Sequence, residues 1–173
     1  QEAPQAPKSI TLTSYQNRAI EEVRSWRERG EFRGFLLHGV TGSGKTETYV
    51  RMIQETLEQD RQALILLPEI ALTPQFVSVF RSHFQDRIAV LHSALTPAEK
   101  FDQWRRIQRQ EIDIVIGARS ALFAPLDRLG ILIVDEEHDP SFKQGEGPRY
   151  HARDMALVRG KFESAQVILG SAT

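Results

Sequence analysis

Six short apolar runs alternate with segments of helical periodicity, and this alternation constrains the fold of the 173-residue chain more than any other feature. The runs cover residues 35–37, 63–67, 88–91, 112–116, 129–134 and 166–169. The helical patterns cover residues 13–29, 45–58, 73–84, 96–110 and 151–162. Runs that are apolar at consecutive positions are typical of strands buried on both faces. The sequence therefore predicts an α/β fold, a mainly parallel sheet with helices on both faces, whose chemistry gathers beyond the carboxyl ends of the strands.

The composition excludes several classes of protein. Cysteine is absent, which removes disulfide frameworks and thiolate zinc sites. A hydrophobic content of 40% with a net charge of −1 argues against a disordered chain and against a broadly basic surface. No apolar run approaches the roughly 18 residues that a membrane span needs, so we expect no membrane partner. Any binding to nucleic acid must come from local groups.

A phosphate-binding motif follows the first apolar run. Residues 39–46 match G-x-x-x-x-G-K-[ST] between a predicted strand and a predicted helix. Glycines let such a loop aim backbone N–H groups at phosphate oxygens beside the positive end of a helix. We expect Lys45 to reach the β- and γ-phosphates of ATP and the Thr46 hydroxyl to bind Mg²⁺. The other candidate nucleotide contacts in the motif are Gly39, Thr41, Gly42, Ser43 and Gly44.

Carboxylates follow the strongest apolar run, residues 131–134. A carboxylate at the end of a buried strand is costly to desolvate unless it meets a cation. Beside a phosphate-binding loop, Asp135 fits the role of Mg²⁺ ligand and Glu136 that of general base for the attacking water. His138 is a candidate relay of hydrogen bonds toward the γ-phosphate or the last loop. A solvent-exposed acidic turn is the alternative, and the nearby motif makes it the weaker one.

Polar groups follow other strands at the same predicted edge. There they could bind the phosphates of DNA without contacting the bases. These candidates are Thr73, Arg119, Ser120, Ser171 and Thr173. Taken singly, each is more typical of a strand-to-helix cap. Thr73 before Pro74 is a good example, because threonine favours the N-cap and proline the first helical position.

The Gly- and Pro-rich segment 139–151 interleaves aromatic rings with cations. Rings that stack on bases beside positive charges are the chemistry of single-strand binding. Placed after the carboxylates, such a loop could also report DNA occupancy to the ATP site. The alternative is that the rings fold back onto the domain. The candidate DNA and coupling residues here are Phe142, Lys143, Arg149, Tyr150 and Arg153.

The set of motifs resembles superfamily 2 helicases, most closely the PriA-type primosomal helicases, also called primosomal protein N′. The resemblance rests on GVTGSGKT at 39–46 followed by Glu47, LPEIALTPQ at 67–75, LHSAL at 91–95, GARSALFAP at 117–125, DEEH at 135–138 and GSAT at 170–173. It implies a RecA-like P-loop NTPase lobe in which Gln16, with Tyr15, reads the adenine and Glu47 lies at the nucleotide. It also implies that the loop after DEEH couples DNA binding to hydrolysis.

The resemblance further implies the activity and partners of a whole protein. PriA-type proteins are 3′→5′ ATP-dependent DNA helicases that act on single-stranded and forked DNA in replication restart and primosome assembly. They work with single-strand-binding protein and primosomal proteins in the bacterial cytoplasm, at the nucleoid. For this chain these properties are expectations that come from the resemblance alone.

We expect residues 1–11 to be a linker from a preceding domain and residues 12–173 to be helicase ATP-binding lobe 1, truncated before lobe 2. An arginine finger from a second lobe is worth about 10³ to 10⁵ in rate, so the lobe alone should bind ATP weakly and turn it over very slowly. Three other functions stay open at this point. They are a double-strand DNA translocase or remodeller lobe, a non-helicase P-loop ATPase or small-molecule kinase, and a binding module without hydrolysis.

Overall fold

Six parallel strands form one sheet in the computed structural model, which describes residues 11–39, 44–142 and 151–172. The strands are β1 Gly34–His38, β2 Gln62–Leu66, β3 Ile88–Leu91, β4 Ile114–Gly117, β5 Leu129–Val134 and β6 Gln166–Ser171. Their order across the sheet is β1-β6-β5-β2-β4-β3. Each pair of neighbours is parallel, so the carboxyl ends of all six strands lie at one edge.

Helices cover both faces of this sheet. The helices are α1 Ser14–Glu28, α2 Lys45–Glu58, α3 Pro74–Phe84, α4 Pro97–Gln108 and α5 Ala152–Glu163. The buried side chains of α1, α2 and α3 pack with one set of strand residues, and those of α4 and α5 pack with the other set. Each central strand thus contributes alternate side chains to two cores, which is why its sequence is apolar at consecutive positions.

Capping interactions set where two of the helices begin. At α1, the Thr13 hydroxyl accepts from the Gln16 N–H (3.2 Å), and Gln16 Oε1 accepts from the Thr13 N–H (2.8 Å). Thr96 and Glu99 form the same capping box at α4. Such boxes satisfy backbone donors that a helix N-terminus leaves unpaired. The box at α1 also fixes the orientation of Gln16, a predicted nucleotide contact.

The structure confirms the predicted fold class, and each predicted helix and strand begins and ends within two residues of the observed one. The notable difference is at Gly170 and Ser171, which we expected in a loop. They extend β6 and pair with Leu37 and His38, because β1 continues beside them. Within the described ranges, no helix is both long and apolar enough to cross a membrane.

Candidate functional site

Three of the predicted motifs meet where β1, β6 and β5 end side by side. The Gly39 N–H donates to the Ser171 carbonyl oxygen (2.9 Å), and the Glu137 N–H donates to the Gly170 carbonyl oxygen (3.0 Å). These bonds tie the start of the phosphate-binding loop and the turn after β5 to the end of β6. The site is therefore assembled by neighbouring strands that are far apart in the sequence.

Lys45, the first residue of α2, carries the central positive charge of this site. Gly44 before it has φ +83°, a left-handed conformation that glycine adopts without steric cost. The Lys45 Nζ lies 3.4 Å from Asp135 Oδ1 and 3.5 Å from Glu136 Oε1, and the lysine side chain is only 10% exposed. The cation that Asp135 needs at the end of a buried strand is thus supplied by the phosphate-binding motif itself.

Asp135 has a second partner that the sequence analysis missed. Tyr49 is fully buried on α2 and donates its hydroxyl to Asp135 Oδ1 at 2.7 Å. Burial and the negative charge of Asp135 both raise the pKa of the Tyr49 hydroxyl, so this group stays protonated and acts as a donor. Tyr49 lies one turn after Lys45 and so shares its helix face. That spacing could have placed Tyr49 near the phosphate-binding motif, but it does not identify Asp135 as the partner of Tyr49.

Glu136 and His138 lie on the turn that follows β5. Glu136 has φ +51°, in the left-handed region that non-glycine residues rarely adopt and that is common near functional sites. Its side chain is 30% exposed, compared with 14% for Asp135. His138 Nε2 lies 3.9 Å from Glu136 Oε2, and its side chain is half exposed. The turn therefore places an accessible carboxylate, with an imidazole next to it, beside the less exposed carboxylate of Asp135.

Gln16 links α1 to the phosphate-binding loop. While its Oε1 atom caps α1, its amide nitrogen lies so close to Gly44 that a Cβ at Gly44 would overlap it. The amide group is buried, so its position is set by both α1 and the loop. The structure thus brings this predicted adenine contact to the phosphate-binding motif.

Two further predicted nucleotide contacts lie on the first turn of α2. Thr46 follows Lys45 directly and is half-buried. Glu47 is buried and forms an ion pair with Arg51 one turn later, at 3.7 Å. The predicted contacts Thr41, Gly42 and Ser43 lie outside the described residues.

The predicted DNA contacts along the rest of the edge differ in how available their side chains are. Thr73 caps α3 by accepting from the Phe76 N–H at 3.2 Å, as the alternative interpretation held. Arg119 follows β4 and donates to the Ser141 carbonyl oxygen at 3.4 Å, and Ser120 beside it is exposed. Ser171 is buried in β6. Thr173 lies outside the described residues.

Phe142 requires a correction, because the structure does not place its ring where DNA could stack on it. The ring is 0% exposed and belongs to the core on the α4 and α5 side of the sheet. For this residue, the interpretation in which the ring folds back onto the domain holds. The physical reason is that burial of an aromatic ring removes a large apolar area from water.

Arg153, another predicted DNA contact, is tied to the turn after β5. Its guanidinium lies 3.3 Å from Glu137 Oε2 and 3.2 Å from Asp154 Oδ1. The backbone N–H of Arg153 donates to His151 Nδ1, which caps α5. The remaining candidates Lys143, Arg149 and Tyr150 lie outside the described residues.

The donor set fits Mg²⁺ held together with a phosphate ligand. Proteins usually bind Mg²⁺ through one or two carboxylates plus substrate phosphates, and the ion keeps several waters. Asp135 and Thr46 supply one carboxylate and one hydroxyl at the phosphate-binding motif. Within the described ranges, no group of three or more His, Asp or Glu side chains could hold a metal by protein ligands alone.

Comparison with known proteins gives consistent matches over nearly the whole chain. A family model described as DEAD/DEAH box helicase matches residues 13–173. The Replication restart protein PriA of Bacillus subtilis (strain 168) is 50% identical over 164 residues, which cover 95% of this chain and 20% of that protein. The protein of the same name from Haemophilus influenzae is 50% identical over 168 residues, which cover 97% of this chain and 23% of that protein. The chain thus spans about a fifth to a quarter of the length of these relatives.

A solved structure with the same fold is that of RecG bound to a three-way DNA junction. It matches with a TM-score of 0.71 at 27% sequence identity, over 95% of this chain and 21% of that chain.

Proposed function

The chain belongs to the DEAD/DEAH box helicase family, and we propose that it is the ATP-binding lobe of a DNA-dependent ATPase and 3′→5′ DNA helicase that acts in replication restart and primosome assembly. One observation carries the proposal. Lys45 Nζ lies between Asp135 Oδ1 and Glu136 Oε1, directly after the phosphate-binding loop. Phosphoryl transfer needs a lysine for the phosphates, a carboxylate for the metal and a group that positions the water.

Asp135 and Thr46 are the residues that would hold Mg²⁺, and the ion would neutralise the negative charge that develops on the phosphates during transfer. Lys45 would exchange its two carboxylate contacts for the β- and γ-phosphates of ATP. Its present contacts of 3.4 and 3.5 Å are longer than the roughly 2.7–2.9 Å of strong charge-assisted hydrogen bonds. Exchanging these long contacts for phosphate therefore costs little.

Glu136 is the better candidate for the group that acts on the attacking water. It is more exposed than Asp135, and its left-handed backbone turns it out of the β5 strand direction. If Lys45 moved toward the phosphates, the Glu136 carboxylate would be free to orient the water and to take a proton from it. His138, within 3.9 Å of Glu136, would extend this hydrogen-bond chain.

DNA is the proposed second ligand. Two findings support it, since the relatives carry a replication-restart name and RecG, which shares the fold, is bound to a DNA junction. Single-stranded and forked DNA would run along the carboxyl-terminal edge of the sheet. Single-strand-binding protein, primosomal proteins and a place at the nucleoid of the bacterial cytoplasm are proposed from the resemblance. The side chains that would contact DNA or couple it to hydrolysis are Thr73, Arg119, Ser120, Lys143, Arg149, Tyr150, Arg153 and Thr173. Ser171, which is buried, would act only in coupling.

We also propose that residues 1–11 are a linker and residues 12–173 a first lobe whose partner lobe lies elsewhere in the protein. Two of the three rival functions, a double-strand DNA remodeller lobe and a non-helicase P-loop enzyme, are not favoured. Relatives at 50% identity carry the replication-restart name, and the helicase family match covers residues 13–173.

The test compares ATP hydrolysis by the full-length protein and by this chain, with and without single-stranded DNA. We expect the full-length protein to be strongly stimulated by DNA and the chain to be at least about 10³-fold slower, because we propose that the arginine finger comes from the partner lobe. Lys45→Ala should abolish the activity, and the exposed Lys161→Ala on α5 serves as the matched control. The proposal would be contradicted if DNA did not change the rate of ATP hydrolysis by the full-length protein, or if Lys45→Ala kept that rate.

A further inference from the structure

Tyr49 is a buried polar residue with a defined partner in the site. It is 0% exposed and lies on α2, one turn after Lys45. Burying a hydroxyl costs free energy unless it forms a hydrogen bond. A phenylalanine would fill nearly the same volume without that cost, so the hydroxyl calls for an explanation beyond packing. Its 2.7 Å bond to Asp135 Oδ1 supplies one.

We propose that Tyr49 is a positioning residue for Asp135, whose hydroxyl holds the Oδ1 atom in one orientation whether or not Lys45 is in contact. This inference rests on the proposed role of Asp135 as the Mg²⁺ ligand. The backbone of Asp135 is already fixed, since its N–H donates to the Leu66 carbonyl oxygen at 2.9 Å. The carboxylate beyond it has two partners on Oδ1, Tyr49 at 2.7 Å and Lys45 at 3.4 Å.

The two partners of Asp135 differ in how permanent they are. Lys45 has a long, flexible side chain, is shared with Glu136, and would move to the phosphates of ATP. Tyr49 has a rigid ring that is packed in the core and cannot follow the nucleotide. Tyr49 is therefore the partner that remains when ATP binds, and partners of metal ligands orient those ligands and tune their affinity.

Gly170 supplies the space in which the hydroxyl and the carboxylate meet. A Cβ on Gly170 would overlap the Tyr49 hydroxyl oxygen, and it would lie 2.5 Å from Asp135 Oδ1 and 3.2 Å from Tyr49 Cζ. The distances to the Tyr49 hydroxyl oxygen and to Asp135 Oδ1 are shorter than real Cβ atoms show, so a larger residue would push the two groups apart. The end of β6 thus contributes to the geometry of Asp135 by having no side chain there.

The first experiment measures binding of a fluorescent ATP analogue to the full-length protein at increasing Mg²⁺ concentrations. Tyr49→Phe should raise the Mg²⁺ concentration at half-saturation about 10-fold, the low end of the effect of removing a partner of a metal ligand. Thr56→Val is the matched control, since Thr56 is a buried hydroxyl on the same helix that donates to the Met52 carbonyl oxygen at 2.9 Å. It should leave the Mg²⁺ dependence unchanged.

A half-saturation value within about twofold of wild type for Tyr49→Phe would overturn the proposal, and so would an equal shift for Thr56→Val. Lys45→Ala separates this inference from the proposed function. If Lys45→Ala binds the analogue like wild type, the proposed function fails. If binding depends on Lys45 but Tyr49→Phe has no effect, only the role of Tyr49 fails.

A second experiment needs neither metal nor nucleotide. Gly170→Ala should lower the unfolding midpoint of the chain in Mg²⁺-free buffer, because its methyl group would collide with the Tyr49 hydroxyl. The drop should be smaller in the Tyr49→Phe background, where that oxygen is gone. Equal drops in the two backgrounds would show that the Tyr49 hydroxyl does not lie against Gly170 and Asp135, and would overturn the proposed contact.

Discussion

Replacing Phe142 by alanine should lower the free energy of unfolding of this chain by about 3–5 kcal/mol, the range found for removal of a buried aromatic ring. The ring is 0% exposed, so the whole side chain loses its packing. The Phe142 N–H also donates to the Asp139 carbonyl oxygen at 3.1 Å, which limits how far the backbone can move to fill the cavity. We therefore expect a value within this range rather than below it.

Urea denaturation of the chain, followed by circular dichroism, measures this loss directly. Domains of this kind are stable by only about 5–15 kcal/mol, so the midpoint should fall sharply. Phe142→Leu keeps most of the apolar volume and should cost less. Phe162→Ala is the control on α5, because Phe162 is 91% exposed and a surface substitution of this kind should change stability by no more than about 0.5 kcal/mol.

The contrary result would be a Phe142→Ala variant with unchanged stability whose ATPase activity no longer responds to DNA. If Phe142→Ala unfolded like wild type, while stimulation of the full-length ATPase by single-stranded DNA disappeared, the ring would face DNA and its assignment to the core would be wrong. A loss of stability that is large for Phe142→Ala and smaller for Phe142→Leu agrees only with a buried ring.

Two further predictions concern charge. Glu136→Gln in the full-length protein should keep nucleotide binding but lower ATP turnover by at least about 100-fold, the low end for loss of a general base. Parallel hydrolysis and binding assays measure both quantities. Retained turnover would contradict the role of Glu136. Burial alone raises the pKa of Glu55, but hydrogen bonds from Arg24 and Arg27 outweigh it and lower that pKa. Their stabilisation is therefore present above the unfolded pKa of about 4.3 and is lost as pH falls through the folded value. Glu55→Gln should destabilise the chain at pH 7 and less at pH 3, and a difference that does not shrink argues against it.

The layered fold could be predicted because a central strand that is buried on both faces is apolar at consecutive positions. In β5, Leu129–Val134, all six residues are buried, and the sequence shows an apolar run of the same length. The proximity of Lys45 and Asp135 could also be predicted from the sequence, for a related reason. Parallel strands deliver their following loops to one edge, so two chemical motifs after two such strands are expected to be near each other.

Other features depend on contacts that no local pattern encodes. Phe142 could equally have stacked on DNA or packed in the core, and its place depends on α4, α5 and distant strands. Gly170 and Ser171 follow the apolar part of β6, and they continue as a strand only because Leu37 and His38 lie beside them. The bond from Tyr49 to Asp135 joins side chains from distant parts of the sequence, so it was not found from helix periodicity alone.

The pairing of β1 with β6 has a consequence for how the chain is made. β1 lies at one edge of the described sheet, and its neighbour is the last strand, with Gly34 opposite Val167 and His38 opposite Ser171. Within this segment β1 is synthesised first, but its partner emerges only after the other strands of the described sheet. Because such long-range pairing forms late, a nascent chain would carry the phosphate-binding motif without a firmly anchored strand beneath it. The nucleotide site would thus become competent only near the end of synthesis of this segment.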